Sequence, residues 1–301
     1  MTVNEIEYNK KIKGILYIIL SALFFSLMNM FVKLAGDLPF IQKSFFRNII
    51  AFFVAGYILY KKKISISLND KKNLRTLIFR SFFGTLGLLA NFYAVDNLNI
   101  SDASMLNKMS PFFAIIFSYF LLKEKISKFQ ASILIGAFLG CLLVIKPTFA
   151  NMSLIPSLIG FSGGICAGLA YTLVRKLGTH GVKGPFIVFF FSGFSCLVTL
   201  PFLIFDYHPM TLLQFTFLIL AGLSASAAQF SITAAYSNAP AREISVFEYS
   251  QVPFSAIVGF IVLNQIPDYL SFLGYVIIIS MAVLMYLYNV KGLFKTTTDR
   301  K

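Results

Sequence analysis

Charge is scarce in this chain. Only 13% of its 301 residues are Asp, Glu, Lys or Arg, 57% are hydrophobic, and the mean hydropathy is +0.79. A soluble domain carries roughly 25% charged residues, so there is too little polar surface here to dress a water-facing globule. Histidine is almost absent: His180 and His208 are the whole supply. They fall in loops on opposite sides of the expected membrane. Asp96 and Asp102 lie near its outer edge without a partner set, so no nucleophile–base pair or metal cluster of an enzyme takes shape. The three cysteines, Cys141, Cys166 and Cys196, sit inside apolar runs with no CxxC spacing and read as small buried hydrophobes. No glycine-rich phosphate loop follows a strand, so a nucleotide-driven pump is not supported. An enzyme is therefore not expected, nor a cofactor or a bound metal.

Acidic residues are also few, 12 against 26 Lys and Arg, which leaves a balance of +14. The cations sit at the ends of apolar runs and not on one basic face, so a nucleic-acid partner is not expected. The basic start (Lys10, Lys11, Lys13) runs into an apolar stretch too long for the core of a signal peptide, with no A-x-A site after it. It is a first transmembrane helix.

What is abundant is apolar sequence in runs of about 20 residues, the length a helix needs to cross the hydrocarbon core. Unpaired backbone groups cost several kcal/mol each in lipid, so the spans must be helical. Ten are expected: Gly14–Ala35, Ser44–Tyr60, Leu74–Val95, Ala103–Leu122, Phe129–Ile145, Ile155–Val174, Phe186–Phe205, Leu212–Tyr236, Ile244–Leu263 and Leu270–Tyr288. Turn chemistry separates them at Gly36-Asp37-Leu38-Pro39, Lys146-Pro147, Tyr207-His208-Pro209 and Asn264-Gln265-Ile266-Pro267. With the N-terminus inside, the inner segments hold Lys10, Lys11, Lys13, Lys61, Lys62, Lys63, Lys71, Lys72, Arg75, Lys123, Lys125, Lys128, Arg175, Lys176, Lys183, Arg242, Lys291, Lys295, Arg300 and Lys301. The outer segments hold only Lys43 and Lys146. That bias places both termini in the cytoplasm of a cell-membrane protein.

Sliding the sequence on itself by 142 residues lays five spans on five spans. Pro111-Phe112 falls on Pro253-Phe254, Lys33 on Arg175, Asp96 on Asn238, Ser132 on Gly274, and Asn29 on Tyr171. Residues 1–150 and 151–301 thus read as two five-helix repeats of one structural unit. Five is odd, so the second copy enters the bilayer from the opposite side. The expected fold class is an all-α membrane protein of ten transmembrane helices in two inverted repeats, an arrangement carriers use with a substrate site near the midplane.

These residues resemble the drug/metabolite transporter superfamily, in its ten-helix EamA-type branch. The resemblance runs from about Gly14 to Tyr288. It is carried by Lys33 and Arg47, by Ala94-Val95-Asp96-Asn97-Leu98 leading into Ala103 and Ser110-Pro111, and by the turn Leu122-Lys123-Glu124-Lys125-Ile126-Ser127. The second repeat reads Gln265-Ile266-Pro267-Asp268 where the family often repeats the acidic turn. The resemblance implies a single-chain carrier of metabolites with a central cavity between the halves.

Charge inside a span costs about 2.5–3.5 kcal/mol or more, which makes each such residue a functional candidate. Lys108 lies more than a helical turn into span four, roughly 8–10 Å below the outer surface at 1.5 Å per residue, and Glu248 mirrors it in span nine. They can compensate one another, or hold the anionic and cationic groups of a substrate. Lys33, Arg47 and Arg80 lie nearer helix ends, where long stems can snorkel to headgroups. Pro111 and Pro253 lack an N–H and should kink spans four and nine, as hinges or as packing features. Asn29, Asn91, Asn107, Tyr171, Tyr249 and Gln251 complete the candidate substrate-binding set with Lys108, Glu248, Arg47 and Arg80. Gln229 and Tyr93 lie at plausible depths. Gly160, Gly164 and Gly168 in span six, Gly136 and Gly140 in span five, and Ala221, Gly222, Ala225 and Ala228 in span eight predict close helix packing. The expected function is secondary transport of a small polar metabolite, amino-acid-like and zwitterionic or anionic, by alternating access. A passive facilitator or channel is the alternative. The expected partners are that small-molecule substrate and membrane lipid, with the monomer as the working unit.

Overall fold

The computed structural model describes residues 3–64, 70–98, 100–146, 154–264, 266–291 and 293. Pro147, Gln265, Lys295, Arg300 and Lys301 lie outside them, and the side chains of Asp96 and Asp102 are likewise outside what is described. The order is α1 (Val3–Leu34), α2 (Phe40–Lys61), α3 (Lys71–Asn97), α4 (Ile100–Asn107), α5 (Ser110–Leu122), α6 (Lys128–Ile145), α7 (Leu154–Thr179) and α8 (Gly184–Phe205). Then follow α9 (Leu212–Asn238), α10 (Ala241–Ile244), a 3₁₀ segment (Ser245–Ser250), α11 (Gln251–Leu263) and α12 (Tyr269–Asn289).

Among the described residues, nine helical stretches are long and apolar enough to cross a membrane. The tenth crossing is α2, whose 22 residues carry Lys43, Arg47 and Lys61; two of these sit at its ends and one, Arg47, is buried. Large apolar side chains such as Phe53, Leu197, Phe202, Phe260 and Val276 remain exposed on the outside. Lipid is the solvent for such a surface.

Local chemistry sets the ends. Asp70, Ser127, Thr211 and Asp268 cap α3, α6, α9 and α12 through their side chains, and Ser127 with Gln130 and Thr211 with Gln214 form capping boxes. Lys123 closes α5 and Asn264 closes α11 in the left-handed region, at φ of 58° and 52°. These two residues are equivalent between the halves once the offset slips by one residue in this turn, as are the caps Ser127 and Asp268. The motif mismatch at Gln265–Asp268 therefore leaves the turn's form unchanged.

Two expectations are corrected here. Spans four and nine are not continuous helices kinked at proline; each is broken. Span four stops at Asn107 and restarts at Ser110, with Pro111 in the first turn of α5. Span nine passes from α10 through the 3₁₀ segment into α11, with Pro253 in its first turn. Proline tolerates the start of a helix, where its missing N–H has no intrahelical partner. A restart is cheaper than a kink.

Helix pairing is symmetric under exchange of the halves. α1 packs on α9 as α7 packs on α3; α11 packs on α1 as α5 packs on α7; α2 meets α9 as α8 meets α3. α2 also meets α8, and α6 meets α12, across the centre. The chain is thus a pair of five-helix repeats in inverted topology. The glycine stripes serve this packing. A Cβ on Gly164 would lie 2.7 Å from the Leu106 carbonyl oxygen, and one on Gly168 2.7 Å from the Ala114 nitrogen. Helix α7 therefore lies directly against the backbone of the broken span four.

Candidate functional site

Between the halves lies a cavity of about 150 Å³. At roughly 10–15 Å³ per ordered water it has room for on the order of ten waters. Its walls come from α1, α2, α3, the α4–α5 break, α7, α8, α9 and the α10–α11 break, and include Asn29, Arg47, Arg80, Asn91, Asn107, Lys108, Ser110, Tyr171, Gln229, Glu248 and Gln251. Nine of the ten sequence-derived candidates are brought together here. Tyr249 is fully buried behind the wall, where its hydroxyl donates to the Lys108 carbonyl at 3.1 Å. Asn29, exposed at the end of the bundle that carries the α1–α2 turn, marks the mouth.

The breaks place the central charges. Lys108 occupies the turn between α4 and α5, and Glu248 the 3₁₀ segment before α11. Of the two alternatives for the central charges, direct mutual pairing is not seen: the Lys108 ammonium donates to Gln251 Oε1 at 2.6 Å, and Glu248 accepts from the Tyr236 hydroxyl at 2.5 Å. Tyr236 stacks on Tyr171, with ring centroids 5.2 Å apart and 13° between planes. Each charge is held by a neutral group of the second repeat, which leaves both able to face a ligand. Tyr236 gave no signal in the sequence, where a tyrosine at the end of an apolar span reads as an interfacial anchor.

Snorkelling is also corrected for two residues. Lys33 is exposed, but Arg47 and Arg80 are 4% and 2% exposed and turn inward. Arg47 Nε donates to the Met28 sulfur at 3.2 Å, and its NH1 finds no hydrogen-bond partner among the described residues. Arg80 reaches Gln229 Oε1 at 3.4 Å and lies over the Phe191 ring with its guanidinium carbon 3.8 Å from the centroid. Its Nε and NH1 find no partner among the described residues. Gly84, one turn along α3, makes room for it: a Cβ there would fall 2.3 Å from Arg80 NH1. Helical spacing alone does not show which way a long side chain turns, so neither Gly84 nor Phe191 was legible.

Polar contacts link the helices at the end of the bundle opposite the mouth. Arg175 pairs with Glu124 at 3.0 Å and donates to the Ser237 carbonyl at 3.4 Å, and Ser118 donates to the other Glu124 oxygen. Lys11 pairs with Glu243 at 3.3 Å. Among the described residues no group of three His, Cys, Asp or Glu is placed to hold a metal.

A charge-lined chamber between two inverted helical repeats is the architecture of a membrane carrier of small molecules. Comparison with known proteins agrees with that class. The chain belongs to the EamA-like transporter family, which matches residues 12–146 and again 154–287. It is 29% identical over 272 residues to the pseudopaline exporter CntI of Pseudomonas aeruginosa, covering 90% of this chain and 94% of that one. It is 25% identical over 281 residues to a riboflavin transporter of Vibrio cholerae, covering 89% and 91%. A solved crystal structure superimposes with a TM-score of 0.79 at 12% identity, over 94% of this chain and 99% of that chain, which supports the fold. The protein is a multi-pass membrane transporter of small molecules.

Proposed function

We propose that the chain is a secondary carrier that moves a small polar, amino-acid-like metabolite across the cell membrane by alternating access. The carrying observation is the cavity itself. Asn29 lines it and is exposed at one end of the bundle, and the Arg175–Glu124 and Lys11–Glu243 pairs at the other end would form the seal. Its central charges sit on two helix breaks contributed by opposite repeats. Rocking one repeat against the other would move the seal from one end to the other around a fixed site. Lys108 would hold an anionic group of the substrate and Glu248 a cationic one, with Asn29, Asn91, Asn107, Tyr171 and Gln251 as neutral contacts. A channel would need a polar path open at both ends, and ion pairs that bridge helices at one end favour a gate there.

The test is counterflow in liposomes with Lys108→Ala and Glu248→Gln. Each should lower the rate at least tenfold while the variant still elutes as a single folded species. Wild-type rates in both would remove these residues from the site, and flux without counterflow would favour the facilitator.

A further inference from the structure

The cavity's charges do not balance. Its lining holds three cations, Arg47, Arg80 and Lys108, and one carboxylate, Glu248. Among the described residues of the lining, two positive charges are thus left without a counter-charge. The Arg47 and Arg80 guanidiniums are nearly fully buried, form no ion pair with a described carboxylate, and keep nitrogen atoms with no hydrogen-bond partner among the described residues. Buried charges in a membrane protein are normally paired or satisfied. A guanidinium is a planar fork that matches a carboxylate bidentately.

The arrangement around Arg80 is built. Gly84 leaves the space its NH1 occupies, Phe191 provides a face for the guanidinium, and Gln229 takes one donor. Lys108 belongs to a different wall. It sits at the α4–α5 break beside Ser110, where the start of a 13-residue half-helix faces the same chamber.

We propose that the cavity takes a metabolite with two anionic groups, a dicarboxylate of about ten heavy atoms, one carboxylate held by Arg47 and Arg80 and the other by Lys108. Glu248 then accepts an ammonium or hydroxyl of the same molecule, so an amino dicarboxylate satisfies every charged group in the lining. This rests on the carrier reading above and narrows its substrate class. A neutral zwitterion, with a single carboxylate, would leave either the guanidinium pair or Lys108 without a counter-charge, and a polyamine would meet repulsion.

The test uses the full-length chain in detergent, with unfolding followed by a thiol dye on the buried Cys141, Cys166 and Cys196. Succinate, glutamate, alanine, putrescine and inorganic phosphate are compared at equal ionic strength. Succinate and glutamate should raise the midpoint by several degrees, while alanine and putrescine leave it in place. The apparent Kd for succinate should weaken at least tenfold in Arg80→Gln. It should also weaken in Gly84→Ala, which keeps the charge but displaces the guanidinium. Alanine stabilising the wild type as well as succinate would overturn the proposal even if neither variant folds. So would succinate binding that is unchanged in both variants, or phosphate binding more tightly than succinate. Succinate binding that passes these tests without counterflow in liposomes would defeat the carrier reading alone.

Discussion

At the residue scale, placement of charge separates structural from functional groups. Asp268, at the membrane surface, caps α12 by accepting from the Ser271 amide at 2.9 Å and pairs with Lys146. The Lys146 hydrogen bond, then that of the Ser271 amide, holds its carboxyl down from the ordinary 3.8 to about 2. A depressed carboxylate stabilises the fold fully above its unfolded value near 4, and that contribution fades as pH falls through about 2. The group is exposed, so the effect is small and screened by salt. We expect Asp268→Asn to melt below wild type at neutral pH and the two to converge as pH falls from 4 to 2. A constant difference across that range, measured in low salt, would remove the ionic contribution. Arg47 and Arg80 are the opposite case. They are held in place by packing against Met28, Phe191 and Gln229, and they keep buried donors with no hydrogen-bond partner among the described residues while lining the chamber.

At the element scale, the contact between α7 and the broken span four is what aligns Lys108. Gly160, Gly164 and Gly168 sit against Ala94, Leu106, Phe113 and Ala114, with backbone atoms among the nearest neighbours. Backbone cannot swing aside as a flexible side chain can, so a methyl group there must push the helices apart. Gly168→Ala should therefore destabilise the protein by roughly 1–3 kcal/mol, the usual cost of overpacking. Gly184 is the control: a Cβ there would meet only the Thr233 methyl at 3.5 Å, an ordinary contact. Gly184→Ala should melt within a degree or so of wild type. Equal losses in the two variants would mean that the α7 contact does not set the effect, since helix propensity alone favours Ala over Gly.

The stripes, the ten spans and the repeat offset were legible because they are periodic properties of single segments. The helix breaks were legible only in part. Pro111 and Pro253 marked the right places, but a proline reads alike as a mid-helix kink or as the first turn of a new helix. Neighbouring segments decided for the restart: Tyr249 donates to the Lys108 carbonyl across the break, and α7 lies against Leu106.

At the scale of the whole molecule, the pairing of helices is nearly unchanged when the halves are exchanged. Five crossings per half turn the second copy over, which puts the α1–α2 turn and the α7–α8 turn at opposite ends of the bundle. We expect a membrane-impermeant maleimide to label Asp37→Cys from outside intact cells and His180→Cys only after permeabilisation, in a chain whose native cysteines are replaced. Both positions are exposed. Labelling of both from the same side would contradict the inverted arrangement. The reverse assignment, with Asp37→Cys protected, would overturn only the cytoplasmic placement of the termini inferred from Lys and Arg.

Composition, hydropathy period and the charge bias at span ends depend on nothing but the chain and its solvent. They therefore determined that this is a ten-span helical membrane protein built from two copies, and they singled out the residues that line one cavity. Which partners those charges take is a matter of three dimensions. Lys108 with Gln251 joins residues 143 positions apart, Glu248 with Tyr236 depends on how the 3₁₀ segment folds back on α9, and the inward turn of Arg47 and Arg80 depends on which way a long stem leaves its own helix. Side-chain direction and interhelical distance follow from packing, which no single segment encodes. The tertiary structure alone turned a set of polar residues into one chamber with an excess of positive charge.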